Sequence, residues 1–185
     1  MDNGAESYKR YLDGDDGGMV EIIRDYKDGL TLYLNGYVRN IFTAEELMEE
    51  TFFRLMTRKP KFSGRSSFKT WLYAIGRNLA TDYLRKNSRL SMSGGSQTLT
   101  EAAEEEGVEA AYIKDESRIQ LHRAMKNLKP EYEQVLYLIY FEDCSNEQTA
   151  SVMKKKKRQI ENLIYRAKKA LKSELEKEGF SYEGL

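Results

Sequence analysis

The chain of 185 residues contains few of the residues that build disulfides and metal sites. Its one cysteine, Cys144, can form no internal disulfide, which is typical of a reducing compartment, so we expect a cytoplasmic protein. Zinc sites need clusters of cysteine and histidine, and the chain has a single histidine, His122. We therefore expect no metal site and no cofactor.

Long hydrophobic runs are also absent. No run approaches the roughly eighteen apolar residues that suggest a membrane-spanning helix, and the first residues lack an apolar stretch behind basic ones. We therefore expect neither membrane insertion nor a signal peptide. The mean hydropathy of −0.71 leaves too little apolar material for one large core, so two small helical bundles are favoured.

No pattern of catalytic residues is present. His122 has no plausible nucleophile in its own helix, Cys144 has no activating partner, and the chain has no phosphate-binding loop. We therefore expect a protein that is not an enzyme.

The charges are strongly segregated, although 30 basic residues balance 30 acidic ones. Residues 54–89 have a net charge of +9 and residues 153–172 one of +8, whereas residues 88–117 have one of −5. Because salt screens charges beyond roughly 8 Å, each block acts by itself. The basic blocks favour nucleic acid as a partner, and solvated helix faces are the alternative from charge alone.

Residues 1–88 have the pattern of a first helical domain. A short helix is expected around Ser7–Leu12, and apolar residues spaced by three and four predict a long helix from about Gly18 to Phe42. Thr43 is the expected N-cap of the next helix, with Glu46 completing a capping box.

Pro60 should end this third helix, and Ser66 or Ser67 should cap the fourth. The expected buried face of the third helix comprises Leu47, Met48, Phe52, Leu55 and Met56, and that of the fourth comprises Phe68, Trp71, Leu72, Ile75, Leu79 and Tyr83.

Residues 89–111 lose this periodicity and are expected to form a flexible acidic linker. Residues 112–185 are expected to form a second helical domain. A short helix, a tight turn and a longer basic helix would make a helix-turn-helix. The expected helices are 112–128, 131–141, one from Asp143 or Ser145 to Met153, and one from about Lys156 to Glu178.

Three stretches in this order resemble bacterial extracytoplasmic-function sigma factors of the sigma-70 family. They are AEELMEETFFRLM (44–56), KFSGRSSFKTWLYAIGRNLATDYLRK (61–86) and LKPEYEQVLYLIYFEDCSNEQTASVMKKKKRQIENLIYRAKKALK (128–172). The resemblance implies an all-α protein that directs RNA polymerase to promoters and opens DNA without catalysis of its own. Residues 1–88 would correspond to region two and residues 112–185 to region four.

By this resemblance the third helix would bind the clamp of the largest polymerase subunit, although a solvated acidic face is the alternative. The residues implied there are Glu45, Glu46, Leu47, Glu49, Glu50 and Phe53. The loop and fourth helix would trap a flipped base of the minus-ten element, with Trp71 as either core or base platform and Asn78 as either base contact or brace. The residues implied are Lys61, Phe62, Ser63, Arg65, Ser66, Lys69, Trp71, Arg77, Asn78, Arg85 and Lys86.

Region four would place its last helix in the major groove of the minus-thirty-five element and would contact the flap of the second-largest polymerase subunit. An anti-sigma protein that holds the two domains in a closed arrangement is the expected regulator. The DNA contacts implied are Lys156, Lys157, Arg158, Glu161, Asn162, Tyr165, Arg166 and Lys169.

Two features depart from the family pattern. Lys154 stands where the turn of the helix-turn-helix usually has a glycine, and positive φ at a lysine costs about 1 kcal/mol or more, which favours a different turn. Thr149 stands where a branched aliphatic residue is usual. The other functions compatible with the residues are a stand-alone helix-turn-helix regulator and a helical interaction adaptor without a DNA role.

Overall fold

The computed structural model describes residues 3–92 and 116–177, which form helices and short connections. No strand occurs in these two ranges, so the prediction of an all-α protein is confirmed. The predicted linker lies outside the described residues except for residues 89–92, which continue the fourth helix. The helices are α1 (Asn3–Leu12), α2 (Gly17–Val38), α3 (Ile41–Arg58), α4 (Phe68–Met92), α5 (Glu116–Lys126), α6 (Pro130–Tyr140), α7 (Asn146–Met153) and α8 (Lys157–Lys177).

The first domain is a four-helix bundle in which α2 contacts each of the other three helices. Apolar residues at helical spacing on α2 meet those of α3 and α4, and the side chains at the centre are fully buried. Among the described residues that form this core are Ile22, Leu30, Leu34, Leu55 and Leu72.

The junction between α2 and α3 differs from the prediction. Helix α2 ends at Val38 because Arg39 adopts a left-handed conformation, with φ of 55°. Asn40 is the N-cap of α3, and its side chain accepts a hydrogen bond of 2.8 Å from the backbone N–H of Thr43. The predicted cap at Thr43 and the predicted continuation of α2 to Phe42 are therefore wrong, since an asparagine three residues earlier already satisfies the free N–H group.

The start of α4 agrees with the prediction for Ser67. Its hydroxyl oxygen accepts a hydrogen bond of 3.2 Å from the backbone N–H of Thr70 and so caps the first turn. Before it, α3 ends at Arg58, where Lys59 adopts a left-handed conformation just before Pro60.

The second domain packs α6 against α5, α7 and α8. Ser145 and Gln148 form the reciprocal hydrogen bonds of a capping box at the start of α7, which confirms the predicted start at Ser145. Lys154 follows α7 with φ of 52°, and its N–H reaches the carbonyls at the end of α7. The turn therefore keeps the left-handed residue that a glycine usually supplies, and the expectation of a different turn is wrong.

Candidate nucleic-acid interface

The outer face of α3 is a mixed acidic and apolar stripe. Phe42, Glu46, Glu49, Phe53 and Met56 are exposed and follow one another at spacings of four and three, so they share one face of the helix. Phe42 and Phe53 are 58% and 55% exposed, and with Met56 they place three large apolar side chains on one face among acidic residues, a pattern that marks contact surfaces. We call these five residues the α3 stripe.

The other residues predicted to contact the polymerase lie off this stripe. Leu47 is buried in the core, so it supports the helix and presents no contact surface. Glu45 and Glu50 are half-buried, and Glu50 pairs with Arg54 at 2.6 Å. Met56 is exposed and does not belong to the buried face, contrary to the prediction. Sequence reasoning also missed Phe42, which it had placed in the preceding helix.

The loop before α4 presents basic and hydroxyl side chains over an aromatic cluster. Lys61, Ser63 and Arg65 are exposed, whereas Phe62 and Ser66 are half-buried. The ring of Phe62 lies 5.2 Å from that of Trp71 and 5.7 Å from that of Phe68, measured between centroids. Trp71 is partly buried and packs against the core, the position expected of a core residue.

Farther along α4, the predicted DNA-binding side chains differ in their exposure to solvent. Asn78 is half-buried and lies seven residues after Trp71, so it shares that face about 10 Å along the helix axis. Arg85 and Lys86 are exposed, and Arg85 pairs with Asp82 at 3.1 Å. Arg77 is half-buried and its positive charge lies near Tyr33 and Tyr37, whose pKa values burial raises.

Helix α8 has one buried face and one basic exposed face. Ile160, Ala167, Leu171 and Leu175 point into the second domain. All of the residues predicted to contact the minus-thirty-five element are exposed, and Tyr165 is 73% exposed. They are Lys156, Lys157, Arg158, Glu161, Asn162, Tyr165, Arg166 and Lys169.

The two domains pack against each other through ion pairs that sequence reasoning did not predict. Arg39 at the end of α2 pairs with Glu133 of α6 at 2.5 Å and donates to the carbonyl oxygen of Lys126 at 3.1 Å. Lys69 of α4 pairs with Glu142 at 3.1 Å. The carboxylates are largely buried, Glu133 being 3% and Glu142 9% exposed, so each lies in a site that requires its partner cation.

Polar contacts next to these ion pairs bring the helices close together. The hydroxyl of Tyr137 donates to the carbonyl oxygen of Gly29 at 3.1 Å, and the ring of Tyr137 stacks on that of Tyr33 with centroids 6.2 Å apart. The amide of Gln148 donates to the hydroxyl of Ser67 at 3.2 Å. Two sequence signals point to this contact: an acidic residue within the apolar α6, and glycines seven residues apart on α2.

His122 and Cys144 are both buried, so neither belongs to the exposed faces described above. Burial, together with Lys126 and Arg39, lowers the pKa of His122 to about 4, so this residue is neutral at pH 7. Burial raises the pKa of the Cys144 thiol to about 11, which makes it a poor nucleophile. Within residues 3–92 and 116–177, no group of histidine, cysteine or acidic side chains is arranged to hold a metal, and no helix is long and apolar enough to cross a membrane.

The structure resembles solved sigma factors in its fold. It matches the sigma factor RpoE from Bartonella quintana, solved with the anti-sigma factor NepR, with a TM-score of 0.66 and 19% identity over 84% of this chain and 95% of that one. It matches CnrH, solved with the cytosolic domain of CnrY, with a TM-score of 0.63 and 17% identity over 94% of this chain and 95% of that one.

The sequence also matches named relatives. It is 31% identical to the ECF RNA polymerase sigma factor BldN of Streptomyces coelicolor over 90% of this chain and 63% of BldN, so it spans less than two thirds of that relative. It is 25% identical to the RNA polymerase sigma factor YlaC of Bacillus subtilis over 85% of this chain and 91% of YlaC.

Two family profiles match consecutive parts of the chain and follow the two structural domains. The profile described as Sigma-70 region 2 matches residues 22–90, and the one described as Sigma-70, region 4 matches residues 118–171. The chain belongs to the sigma-70 family, as an RNA polymerase sigma factor of the extracytoplasmic-function group.

Proposed function

We propose that the first domain binds core RNA polymerase through the α3 stripe, and that the chain itself has no catalytic activity. The observation that carries the proposal is the exposure of two phenylalanines and two glutamates on one face of α3. The apolar side chains at the two ends of the stripe would supply affinity, and the acids between them would orient a basic partner such as the polymerase clamp.

The same proposal assigns promoter opening to the loop before α4. Separating the strands requires a base to leave the stack and to be held elsewhere, at a cost of a few kcal/mol. The loop offers the aromatic ring of Phe62, the hydroxyls of Ser63 and Ser66, and the exposed cations Lys61 and Arg65 for this purpose. Asn78 extends the same face of α4 toward the strand.

The exposed face of α8 is assigned to the major groove of the upstream promoter element. Arg158 and Asn162 are four residues apart on this face and have the donor groups that read guanine and adenine edges. Lys156, Lys157, Arg166 and Lys169 surround them with positive charge for phosphate contacts. The second domain also supplies the contact with the polymerase flap in this proposal.

Promoter binding in this scheme requires the two domains to separate. Lys69 is one of the predicted DNA-binding residues, and Ser67 follows another, Ser66. In the structure Lys69 pairs with Glu142 of the second domain, and Ser67 accepts a hydrogen bond from Gln148. Lys69 cannot hold a DNA phosphate while its ammonium group is paired with the Glu142 carboxylate. An anti-sigma protein, of the kind bound to the structural relatives, would act by retaining this closed arrangement.

The test is a binding measurement between the full chain and core RNA polymerase. Phe53→Glu replaces an exposed apolar side chain of the stripe by a charged one and should weaken binding at least tenfold, since the phenylalanine would become a buried apolar anchor in the complex. The control is Val20→Glu, which changes another strongly exposed apolar residue of the same domain, outside the stripe. Equal binding by wild type and Phe53→Glu would overturn the assignment of the α3 stripe.

A further inference from the structure

Helix α1 has no part in the proposed function, and it precedes the residues that match the region 2 profile, which begin at residue 22. Two of its tyrosines nevertheless bind the chain that leads from α3 into the loop before α4. The hydroxyl of Tyr8 donates to the carbonyl oxygen of Pro60 at 2.8 Å. The hydroxyl of Tyr11 donates to the carbonyl oxygen of Met56 at 3.2 Å. Both tyrosines are buried, so these hydrogen bonds belong to the packed interior of the domain.

The two carbonyl groups lie on either side of the residue at which α3 ends. Met56 is in the last turn of α3 and belongs to the α3 stripe, whereas Pro60 begins the connection to α4. Carbonyl groups in the last turn of a helix lack partners within the helix, and Tyr11 supplies one here. Between them Lys59 has a left-handed backbone with φ of 42°, and its ammonium group lies 4.9 Å from the centre of the Tyr11 ring. Helix α1 therefore contacts the whole turn at which the chain leaves α3.

The ring of Tyr8 also belongs to the aromatic cluster beneath the loop. Its centroid lies 5.4 Å from that of Trp71 and 5.6 Å from that of Phe68. The ring of Phe62, which the loop itself contributes, packs against the same two rings. One tyrosine therefore holds the start of the loop by its hydroxyl and supports the partners of Phe62 by its ring.

Helix α1 is itself fixed on α2, so it can serve as a firm support for the loop. The hydroxyl of Ser7 donates to the carboxylate of Glu21 at 2.7 Å, and the guanidinium of Arg10 donates to the same carboxylate at 3.0 Å. The two helices also approach closely, since a β-carbon at Gly18 would collide with the carbonyl oxygen of Ser7. These contacts join α1 to α2, whereas those of the two tyrosines join α1 to the turn after α3.

We propose that Tyr8 and Tyr11 are positioning residues for promoter opening, which hold the loop before α4 at a fixed place relative to the α3 stripe. Neither tyrosine contacts DNA or polymerase in this proposal. Polymerase bound at the stripe and DNA held at the loop are kept at a fixed separation by two hydrogen bonds from α1. The inference rests on the proposed function and adds to it a helix that has no role there.

The experiment measures promoter opening by holoenzyme assembled from the full chain and core RNA polymerase. The DNA is a promoter mapped from the transcripts that overexpression of the chain induces, with 2-aminopurine in its minus-ten element as a fluorescent reporter. Tyr8→Phe removes the hydroxyl and keeps the ring, and the rate constant of opening should fall about threefold to tenfold, the effect of one lost hydrogen bond. Tyr11→Phe should act in the same direction. Affinity for core polymerase and for the unopened promoter should stay at the wild-type value.

The rate constant and the amplitude of opening separate positioning from folding. A variant that merely unfolds more readily has a smaller fraction of active holoenzyme, so its amplitude falls while its rate constant stays unchanged. A positioning role predicts the reverse for Tyr8→Phe, with a lower rate constant at full amplitude. A lower amplitude at the wild-type rate constant would show that the hydroxyl serves folding alone and would overturn the inference.

The matched control is Ser7→Ala, which removes a hydroxyl hydrogen bond of the same helix and of similar length, made to Glu21 of α2. Its rate constant of opening should equal that of wild type, even if urea denaturation shows that both variants lose stability. Wild-type rate constants in Tyr8→Phe and Tyr11→Phe, or an equal fall in Ser7→Ala, would overturn the inference and leave the proposed function intact. No opening by the wild-type holoenzyme would contradict the proposed function and this inference with it.

Discussion

The ammonium group of Lys69 in the first domain donates to the backbone carbonyl of Glu142 in the second at 2.9 Å and lies 3.1 Å from its carboxylate. Lys69 is also one of the residues expected to hold promoter phosphate. In the proposed function this one cation has two negatively charged partners that exclude each other, Glu142 and a DNA phosphate. The contact between the domains and the proposed contact with DNA would therefore be coupled through this side chain.

Neutralising Glu142 should shift the protein toward separated domains. Glu142→Gln removes the ion pair with Lys69, and we expect the domain contact to weaken by about 1.5–3 kcal/mol, the usual value for a hydrogen bond to a charged group. The measurement is energy transfer between dyes attached at Lys27→Cys and Lys172→Cys. Both labelled proteins carry Cys144→Ser, because the native thiol is buried near the Lys69–Glu142 contact that is expected to open.

The control for this variant is Glu131→Gln, because Glu131 is exposed and pairs with Lys155 inside the second domain at 3.0 Å. It should leave the energy transfer unchanged. If Glu142→Gln also left it unchanged, the ion pair would not contribute to closure.

Two glycines of α2 should respond to alanine in opposite ways. A β-carbon at Gly29 would lie 2.3 Å from a carboxylate oxygen of Glu142 and 2.6 Å from the hydroxyl of Tyr73, whereas at Gly36 the nearest neighbour, Glu133, is 3.6 Å away. Alanine favours a helix over glycine by about 1 kcal/mol at either site. Gly36→Ala should therefore stabilise the closed protein, and Gly29→Ala should open it.

Hydrogen exchange distinguishes opening from unfolding in these variants. Gly29→Ala should lose protection at the domain contact, chiefly in α6, while the core of α2–α4 stays protected. Loss of protection throughout the first domain would show that the substitution unfolds it, and full protection would show that the close approach is unimportant.

Acid should destabilise the second domain through His122. Its pKa is about 4 in the folded protein and 6.5 in the unfolded chain, so the stabilisation is complete above pH 6.5 and is lost as the pH falls toward 4. We expect the free energy of unfolding at pH 5 to be about 2 kcal/mol lower than at pH 7.5 from this residue alone.

Urea denaturation of His122→Phe isolates this contribution. Phenylalanine keeps an aromatic ring against Tyr137 and Phe141, which His122 contacts at centroid distances of 6.2 and 5.9 Å. The carboxylates titrate in both proteins, so the wild type should lose about 2 kcal/mol more than the variant between pH 7.5 and 5. An equal loss in both would rule out His122 as the source.

The left-handed Lys154 should be a site at which glycine stabilises the protein. Glycine adopts positive φ without the steric cost that lysine bears, although it is more flexible in the unfolded chain. Lys154→Gly should therefore raise the free energy of unfolding by about 0.5–1 kcal/mol, measured with urea. Ser151→Gly, inside α7, should lower it instead, and a destabilising Lys154→Gly would show that the lysine side chain itself is needed.

Sequence reasoning predicted elements better than contacts between them. The periodicity of apolar residues located each helix, and the cap at Ser145 followed from local chemistry alone. The cap of α3 was missed because both Asn40 and Thr43 suit that role, and only the left-handed Arg39 decides between them. The domain contact was missed because its charged residues are far apart in sequence, and because Arg39, Lys69 and Glu142 each resemble a surface charge by themselves.

Strand opening is the step on which the whole account depends, and permanganate reactivity of promoter thymines measures it directly. The double variant Phe62→Ala and Asn78→Ala, in holoenzyme with core RNA polymerase, should still bind the double-stranded promoter through α8. Its thymine reactivity around the minus-ten element should fall at least tenfold. Wild-type reactivity in this variant would contradict the assignment of strand opening to the loop and the face of α4.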